Sequence, residues 1–284
     1  MMHTDVTRPL LSFQVITDTH VTVDPNHPYN LNLERALQDI AENAPGSCGI
    51  MHAGDVTDHG FPAEYEEMKR IWNRWNDRLP PLYFTMGNHD VALGEWSSRL
   101  SDFLTATGMT AAYHDHWICG YHFIFLGTEQ GLELFCKLSE EQLAWLDAKL
   151  GEDASPGKPV FVFLHQPLKD TVAGTVEPHK WYGVTEDEEL KRVLSKHRQA
   201  ILFTGHGHWE LGSPLTYYDG AGKLPAMFNA ASVAYLWTDE DERKEGSQGY
   251  YVEVYADHVR VRGRDFSTGK WVEAAQFRVD DPFR

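Results

Sequence analysis

The chain has 284 residues, of which 42% are hydrophobic and 12% aromatic, enough for a sizeable core in one large domain or two small ones. Its 42 acidic residues outnumber 25 basic ones, and the net charge of -17 argues against binding to a nucleic-acid backbone or an anionic membrane surface. A small anionic substrate is not excluded, because bound metal ions can invert the electric field inside a cleft.

The cysteines and the N-terminus indicate the cellular environment. Cys48, Cys119 and Cys136 are too few and too scattered for a disulfide framework or a CxxC zinc site, so we expect free thiols in a reducing compartment. The N-terminus lacks the long apolar segment of a signal peptide, and no apolar run is long enough to span a membrane. These features predict a soluble cytoplasmic protein.

Short apolar runs bounded by Gly, Pro or Asp alternate with helical patterns through most of the chain. Such runs are typical of buried strands. The predicted strands cover residues 13–17, 49–53, 81–86, 121–128, 159–165 and 200–205. This alternation predicts an α/β domain with a largely buried sheet.

Two kinds of signal place the helices. An apolar face at spacings of three and four residues predicts one helix; its members are Tyr65, Met68, Trp72, Trp75 and Leu79. Capping boxes predict two more helix starts; the pairs are Ser139 with Gln142 and Thr185 with Glu188.

After about residue 210 the segments resemble strands, with little helix between them. We expect antiparallel strands that complete a second sheet, and a polar surface loop at 238–249. Since no repeat or linker interrupts the chain, we expect residues 1–284 to form a single domain with its motifs between about 13 and 209.

Polar side chains that can bind metals follow five of the predicted strands. Because ligands in α/β sheets collect beyond the carboxyl ends of strands, we expect these side chains to meet. Carboxylate, amide and imidazole groups suit Mn, Fe, Zn, Ni or Co. Seven candidate ligands exceed the needs of one four-coordinate ion but suit two ions that share a carboxylate. They are Asp18, His20, Asp55, Asn88, His165, His206 and His208.

In this order the motifs resemble those of the calcineurin-like metallophosphoesterases. The family pattern is D-x-H, GD-x-x-D, GNH-D/E, a strand-terminal His and GH-x-H. It is matched at Asp18–His20, Gly54–Asp58, Gly87–Asp90, His165 and Gly205–His208. The resemblance implies a four-layer α/β/β/α sandwich with two mixed β-sheets.

The resemblance also implies a role for each ligand. One metal would be held by Asp18, His20, Asp55 and His208, and the other by Asp55, Asn88, His165 and His206, with Asp55 as the bridge. The ions would be divalent or trivalent transition metals (Mn, Fe or Zn), and the nucleophile a metal-bridging hydroxide in line with the scissile bond.

Outside the metal ligands, we expect His89 to act as general acid, oriented by the carboxylate of Asp58. Asn88, His89 and His59 are expected to contact the substrate, and Asp90 to stabilise a turn.

Departures from subfamily patterns narrow the substrate class. His59 replaces the arginine that follows the second motif in protein Ser/Thr phosphatases, and Asp58 replaces the tyrosine of purple acid phosphatases. The remaining resemblance is to small bacterial phosphodiesterases that hydrolyse cyclic nucleotides or glycerophosphodiesters. A phosphomonoesterase with the same metals and a non-catalytic protein-binding scaffold are the alternatives. Gln166 is a further departure, since many relatives carry a second histidine there.

Overall fold

A computed structural model describes residues 8–152 and 158–280. Its first sheet has the strand order β14-β13-β12-β1-β2-β3. In chain order these strands are β1 (Leu11–Ile16), β2 (Ile50–Ala53), β3 (Leu82–Thr85), β12 (Gln248–Val254), β13 (His258–Asp265) and β14 (Lys270–Asp280). Strands β1, β2 and β3 run parallel to one another, whereas β12, β13 and β14 pair antiparallel.

The second sheet has the order β4-β5-β6-β7-β9-β8. Its strands are β4 (His114–Ile118), β5 (Tyr121–Phe125), β6 (Val160–Phe163), β7 (Ala200–Thr204), β8 (Tyr217–Tyr218) and β9 (Ala226–Asn229). The four central strands are parallel and the two edge strands antiparallel, so this sheet is also mixed. A small hairpin is formed by β10 (Leu236–Trp237) and β11 (Arg243–Lys244).

The described part of the chain has six α-helices: α1 (Pro28–Asn43), α2 (Pro62–Asn73), α3 (Asn88–Val91), α4 (Trp96–Thr107), α5 (Glu140–Gly151) and α6 (Asp187–Leu194). No helix in the described residues is both long and apolar enough to cross a membrane.

In the described residues, three apolar clusters fill the spaces between four layers, namely helices, first sheet, second sheet and helices. The central cluster lies between the two sheets, where Phe13 of β1 packs against Phe123 and Phe161 of the second sheet at ring distances of 5.1 and 4.8 Å. A second cluster lies between the first sheet and α1, α2 and α4, and a third between the second sheet and α5 and α6. The expected α/β/β/α sandwich with two mixed sheets is confirmed.

All six strands predicted from apolar runs are present, with ends shifted by at most three residues. The strand β4 was not predicted because its HDHWI sequence places polar side chains at an edge of the sheet.

The C-terminal strands differ from the expectation that they complete a second sheet. β8 and β9 do extend the second sheet, but β12, β13 and β14 extend the first, with β12 antiparallel to β1. Strand periodicity specifies which face of a strand is buried, and it does not specify which neighbour the strand pairs with.

Helix starts and ends correct two further predictions. Ser139 caps α5 as predicted, since its side chain accepts from the main-chain N–H of Gln142. The N-cap of α6 is Glu186 rather than Thr185, whose hydroxyl donates to the carbonyl oxygen of Cys136 instead. Helix α2 ends at Asn73, so the last part of its predicted apolar face lies in the following turn.

Candidate metal centre

The loops that follow β1, β2, β3, β6 and β7 meet at one end of the sandwich and carry all seven candidate ligands. Five of these residues have a left-handed backbone, which is costly for residues other than glycine. Their φ values are 52° for Asp18, 43° for His20, 51° for Asp55, 67° for His206 and 59° for His208. Strained residues concentrated at one buried cluster are typical of a functional site.

Asp18, His20 and His208 form the first group of candidate ligands. Asp18 Oδ1 lies 2.9 Å from His208 Nε2 and 3.8 Å from His20 Nε2, and the two imidazole nitrogens are 3.2 Å apart. The other oxygen of Asp18 accepts from the hydroxyl of Thr17 at 2.6 Å and from the main-chain N–H of His206 at 3.0 Å. Asp18 therefore keeps Oδ1 for the centre of the cluster.

Asp55, His165 and His206 form the second group. Asp55 Oδ2 lies 3.1 Å from His165 Nε2. The amide oxygen of Asn88 is 3.1 Å from His206 Nδ1, which places Asn88 beside this group. Gln166 donates to the same amide oxygen at 3.3 Å.

Asp55 belongs to both sides of the cluster. The same Oδ2 that faces His165 lies 3.8 Å from His20 Nε2, while Oδ1 accepts from the main-chain N–H of His89 at 2.8 Å. One oxygen of one carboxylate thus faces an imidazole from each group.

Main-chain carbonyls fix which ring nitrogen points inward. His165 Nδ1 donates to the carbonyl oxygen of Ala53 at 2.8 Å, and His208 Nδ1 donates to that of Tyr235 at 3.2 Å. Such bonds hold the opposite nitrogen toward a metal. Asp18 Oδ1 and His165 Nε2 are buried without a hydrogen bond in the described residues, as expected of atoms that ligate a cation. The donor set therefore fits transition-metal ions.

Contacts among the candidate ligands favour the charged forms of His20, His165, Asp18 and Asp55. Burial alone would lower the pKa of His20, but Asp18 and Asp58 outweigh it and raise the pKa to about 10. Burial would also lower the pKa of His165, but Asp55 and Asp18 outweigh it and raise the pKa to about 9. Burial would raise the pKa of the Asp18 and Asp55 carboxyl groups, but the neighbouring imidazoles outweigh it and lower both pKa values. Carboxylates held ionised in a buried site provide the negative charge that a cation needs.

The structure corrects the contact predicted between Asp58 and His89. His89 Nδ1 donates to the main-chain carbonyl oxygen of Asp58 at 2.7 Å. The Asp58 carboxylate instead lies 3.3 Å from His20 Nδ1 and 3.3 Å from His59 Nδ1. The left-handed turn at Asp55 and the following loop bring the main chain, rather than the side chain, of Asp58 to His89.

The two remaining predicted residues differ in exposure: His59 lies at the rim of the cluster and Asp90 is buried beneath it. The side chain of His59 is half exposed, its ring stacks on Phe61 at 5.5 Å, and Nδ1 is 3.1 Å from Glu64 Oε1. Asp90 is fully buried, and its carboxylate accepts from the main-chain N–H groups of Val56, Thr57 and Gly87. Asp90 thus joins the loops after β2 and β3, as the predicted turn-stabilising role requires.

Three residues near the cluster were not predicted. Tyr29 and Tyr235 stack at a ring distance of 5.4 Å, and the Tyr235 ring lies 4.3 Å from that of His208. The guanidinium of Arg243 lies 4.7 Å from the Tyr235 ring. Arg243 belongs to the stretch predicted as a surface loop, and no motif in that stretch indicates a contact with a distant tyrosine. Beside the second group of candidate ligands, a further aromatic ring, that of Trp181, lies 6.2 Å from the ring of His206.

Comparison with known proteins agrees with the geometry. Residues 11–210 match the family model described as calcineurin-like phosphoesterase. A probable cyclic nucleotide phosphodiesterase of Synechococcus is 27% identical over 84% of this chain and 89% of its own. A cAMP/cGMP dual specificity phosphodiesterase of Mycobacterium tuberculosis is 25% identical over 86% of this chain and 76% of its own length. A probable glycerophosphodiester phosphodiesterase of Arcobacter nitrofigilis is 27% identical over 68% of this chain and 70% of its own length.

Among solved structures, a purple acid phosphatase from yellow lupin seeds superposes with a TM-score of 0.66 at 12% identity. It covers 95% of this chain, which spans 53% of the lupin chain, and the likeness shows the fold alone. The family match covers well over half of the sequence and includes every motif at the metal-ligand cluster. The chain is therefore a member of the calcineurin-like phosphoesterase family, and a metal-dependent phosphoric ester hydrolase.

Proposed function

We propose that this protein hydrolyses a small phosphodiester at two transition-metal ions that share Asp55. Cyclic nucleotides and glycerophosphodiesters are the substrate classes named for its relatives, and we propose them as candidates here. The observation that carries the proposal is the position of Asp55 Oδ2, 3.1 Å from His165 Nε2 and 3.8 Å from His20 Nε2. A carboxylate in that position can serve both ligand groups.

Each ligand group supplies a different donor set. Asp18, His20 and His208 would hold one ion with Asp55, and Asn88, His165 and His206 would hold the other with Asp55. When bound, Mn, Fe or Zn ions would supply Lewis acidity toward the phosphoryl oxygens and toward the attacking water. No side chain is then required as the base that activates the water.

His89 is proposed to hold the proton that the leaving oxygen receives. Its Nδ1–H is committed to the Asp58 carbonyl, so the proton available for transfer is the one on Nε2. The main-chain N–H of the same residue donates to Asp55, which ties the position of the His89 ring to the shared ligand. Asn88 and the half-exposed His59 are proposed to contact the substrate.

The substitution Asp55→Ala tests the shared site. We expect it to abolish both metal content, measured by elemental analysis, and hydrolysis, because both ligand groups lose their common oxygen. Glu253→Ala, which removes a carboxylate from β12, is the matched control and should leave both unchanged. Wild-type metal content in Asp55→Ala would refute the sharing of Asp55.

The ester class is tested with paired chromogenic substrates. Metal-free protein is reloaded with Mn²⁺, Fe²⁺, Zn²⁺ or Co²⁺ and assayed with bis-p-nitrophenyl phosphate and p-nitrophenyl phosphate. We expect a higher kcat/KM for the diester, since His59 stands where protein Ser/Thr phosphatases carry an arginine that can bind a phosphate dianion through two hydrogen bonds. A large preference for the monoester would identify a phosphomonoesterase instead.

A further inference from the structure

A cavity of about 790 Å³ lies beside the metal-ligand cluster, and Tyr29, Tyr235 and Arg243 are part of its wall. The Tyr235 ring is 4.3 Å from the ring of the candidate ligand His208 and 6.0 Å from that of His20. The cavity and the cluster therefore share Tyr235 as a common boundary. A substrate held at the cluster could extend one of its groups past Tyr235 into the cavity.

Arg243 is held in the cavity wall by neutral partners. One guanidinium nitrogen, Nη2, donates to the hydroxyl of Tyr29 at 2.9 Å, and the guanidinium carbon lies 4.7 Å from the Tyr235 ring. Within residues 8–152 and 158–280, the contacts of this guanidinium are with Tyr29 and Tyr235, and it forms no ion pair with a carboxylate. Its neighbour Lys244, in contrast, pairs with Glu210. The remaining donors of Arg243 are free to bind an anion in a forked geometry.

The cavity wall carries charges of both signs: Arg35, Arg243 and Lys244 line it together with Glu245 and Asp265. Lys244 pairs with Glu210, and Arg35 donates to the amide oxygen of Asn32. Arg243 is the cation that contacts both Tyr29 and Tyr235. An anionic group that extends past Tyr235 would therefore meet the guanidinium of Arg243.

The proposed general acid indicates which half of the substrate reaches Arg243. The His89 ring lies 4.6 Å from the His20 ring, and Tyr29 and Tyr235 lie 6.2 and 6.0 Å from that same ring. His89, Tyr29 and Tyr235 thus all surround the His20 ring, so a leaving group that takes its proton from His89 starts near the tyrosines that contact Arg243. Resting on the proposed function, we infer that Arg243 binds a carboxylate or phosphate-like group carried by the leaving-group half of the diester.

Three esters that share one reacting phosphorus test this inference. Methyl 4-carboxyphenyl phosphate and methyl 4-phosphonophenyl phosphate carry an oxyanion on the leaving group, and methyl 4-carbamoylphenyl phosphate is the neutral match. With Mn²⁺-loaded protein, we expect a higher kcat/KM for an anionic ester than for the neutral one. Arg243→Gln should reduce that ratio about tenfold or more, the loss expected when a charge-assisted pair is removed. Arg243→Lys should retain part of it.

The matched control is Arg260→Gln, which removes an arginine of β13 that faces Glu253 of β12. It should leave the substrate ratio at its wild-type value. Binding of the product 4-hydroxybenzoate, followed by calorimetry, should weaken in Arg243→Gln and not in Arg260→Gln. Hydrolysis of all three esters with a ratio that Arg243→Gln does not change would overturn this inference alone. Hydrolysis of none of them would overturn the proposed function.

An independent observation concerns two cysteines at the opposite end of the sandwich. Cys48 precedes β2 of the first sheet and Cys119 lies in the turn between β4 and β5 of the second, yet their Sγ atoms are 2.8 Å apart. Cys119 is exposed and Cys48 half-buried, whereas the third cysteine, Cys136, is fully buried. The expectation of scattered thiols thus holds for the sequence positions but not for the folded chain.

We propose that Cys48 and Cys119 form a reversible disulfide that links the two sheets when a low-molecular-weight disulfide such as glutathione disulfide is present. The exposed Cys119 thiolate attacks one sulfur of the oxidant and releases one reduced thiol. Cys48 then attacks Cys119 Sγ and releases the second thiol. Two electrons pass to the oxidant, and the two cysteine protons end on the released thiols.

The reaction is followed by intact mass and by peptide mapping of full-length protein treated with glutathione disulfide. We expect the loss of two hydrogens, one cross-linked peptide pair that contains Cys48 and Cys119, and reversal by dithiothreitol. Cys136→Ser should behave as the wild type, while Cys48→Ser should accumulate the glutathione adduct on Cys119. The oxidised protein should melt at a higher temperature than the reduced one, because the link closes a long loop in the unfolded chain. A stable glutathione adduct on wild-type Cys119, or unreacted thiols at both positions, would refute the pair.

Discussion

His89 Nδ1 donates to the main-chain carbonyl oxygen of Asp58 at 2.7 Å, and the Asp58 carboxylate lies 3.3 Å from a different imidazole, that of His20. The role predicted for the Asp58 carboxylate therefore falls to the main-chain carbonyl of the same residue. The carbonyl contacts the proposed acid, and the carboxylate contacts the candidate metal ligand His20. This division determines how substitutions at the two positions should differ.

His89→Asn should retain both metals and lose catalytic rate. His89 lies within 4.8 Å of ligand atoms of His20 and Asp55, but the groups Asp18–His20–His208 and Asp55–His165–His206 form without it. Proton transfer to the leaving oxygen requires the His89 ring, so we expect kcat to fall about 10²–10⁴-fold. The loss should be largest for diesters with poor alcohol leaving groups and smaller for p-nitrophenyl esters. A near-normal rate with a poor leaving group would remove His89 from the proton-transfer step.

Asp58→Asn should affect metal binding more than the chemical step. Any residue at position 58 retains the carbonyl that orients His89, but the contact with His20 Nδ1 changes. Loss of a group that orients a ligand typically weakens metal affinity by about 10–100-fold. We therefore expect weaker Mn²⁺ binding in a competition titration, with kcat at saturating Mn²⁺ within about tenfold of wild type. A kcat as low as that of His89→Asn would show that the carboxylate is essential to the acid.

Asp90→Asn should destabilise the fold around the centre. Besides three main-chain N–H groups, the Asp90 carboxylate accepts from the hydroxyls of Thr57 at 3.1 Å and Tyr65 at 3.4 Å. Asparagine has only one acceptor oxygen, so at least one of these donors would face an amide N–H₂. We expect the free energy of unfolding to fall by about 2 kcal/mol, measured by urea denaturation of metal-free protein. The exposed Asp77→Asn is the control, and equal stability of both variants would contradict the assignment.

His114 should make stability depend on pH. Burial lowers its pKa from 6.5 to about 4, and the neutral ring donates through Nε2 to the carbonyl oxygen of Phe84 at 2.9 Å. The unfolded chain protonates His114 more readily than the folded protein does. The contribution of the neutral His114 ring to the free energy of unfolding is therefore fully present above pH 6.5 and is lost as the pH falls toward 4. Between pH 7 and pH 5 the wild type should lose about 2 kcal/mol more than His114→Gln. Parallel stability curves for the two proteins would exclude His114 as the source.

Most of the site could be predicted from sequence, since each candidate ligand directly follows an apolar strand. Parallel strands end at one edge of a sheet, so residues such as Asp18, Asp55 and Asn88 come together once their strands pair. The roles that depend on neighbours could not be predicted in the same way. Arg243 looks like an ordinary surface residue until the β10–β11 hairpin places it over Tyr235.

Local sequence patterns specify the buried strands, the chemical type of the candidate ligands and their order along the chain. Apolar runs and turn residues act within a few positions, so local patterns are sufficient for these features. Tertiary packing sets which sheet β12–β14 join, which atom of Asp58 contacts His89, and the contact of Cys48 with Cys119 across the sandwich. These contacts join segments far apart in the chain, and strand pairing and layer packing, which no local pattern encodes, determine their geometry.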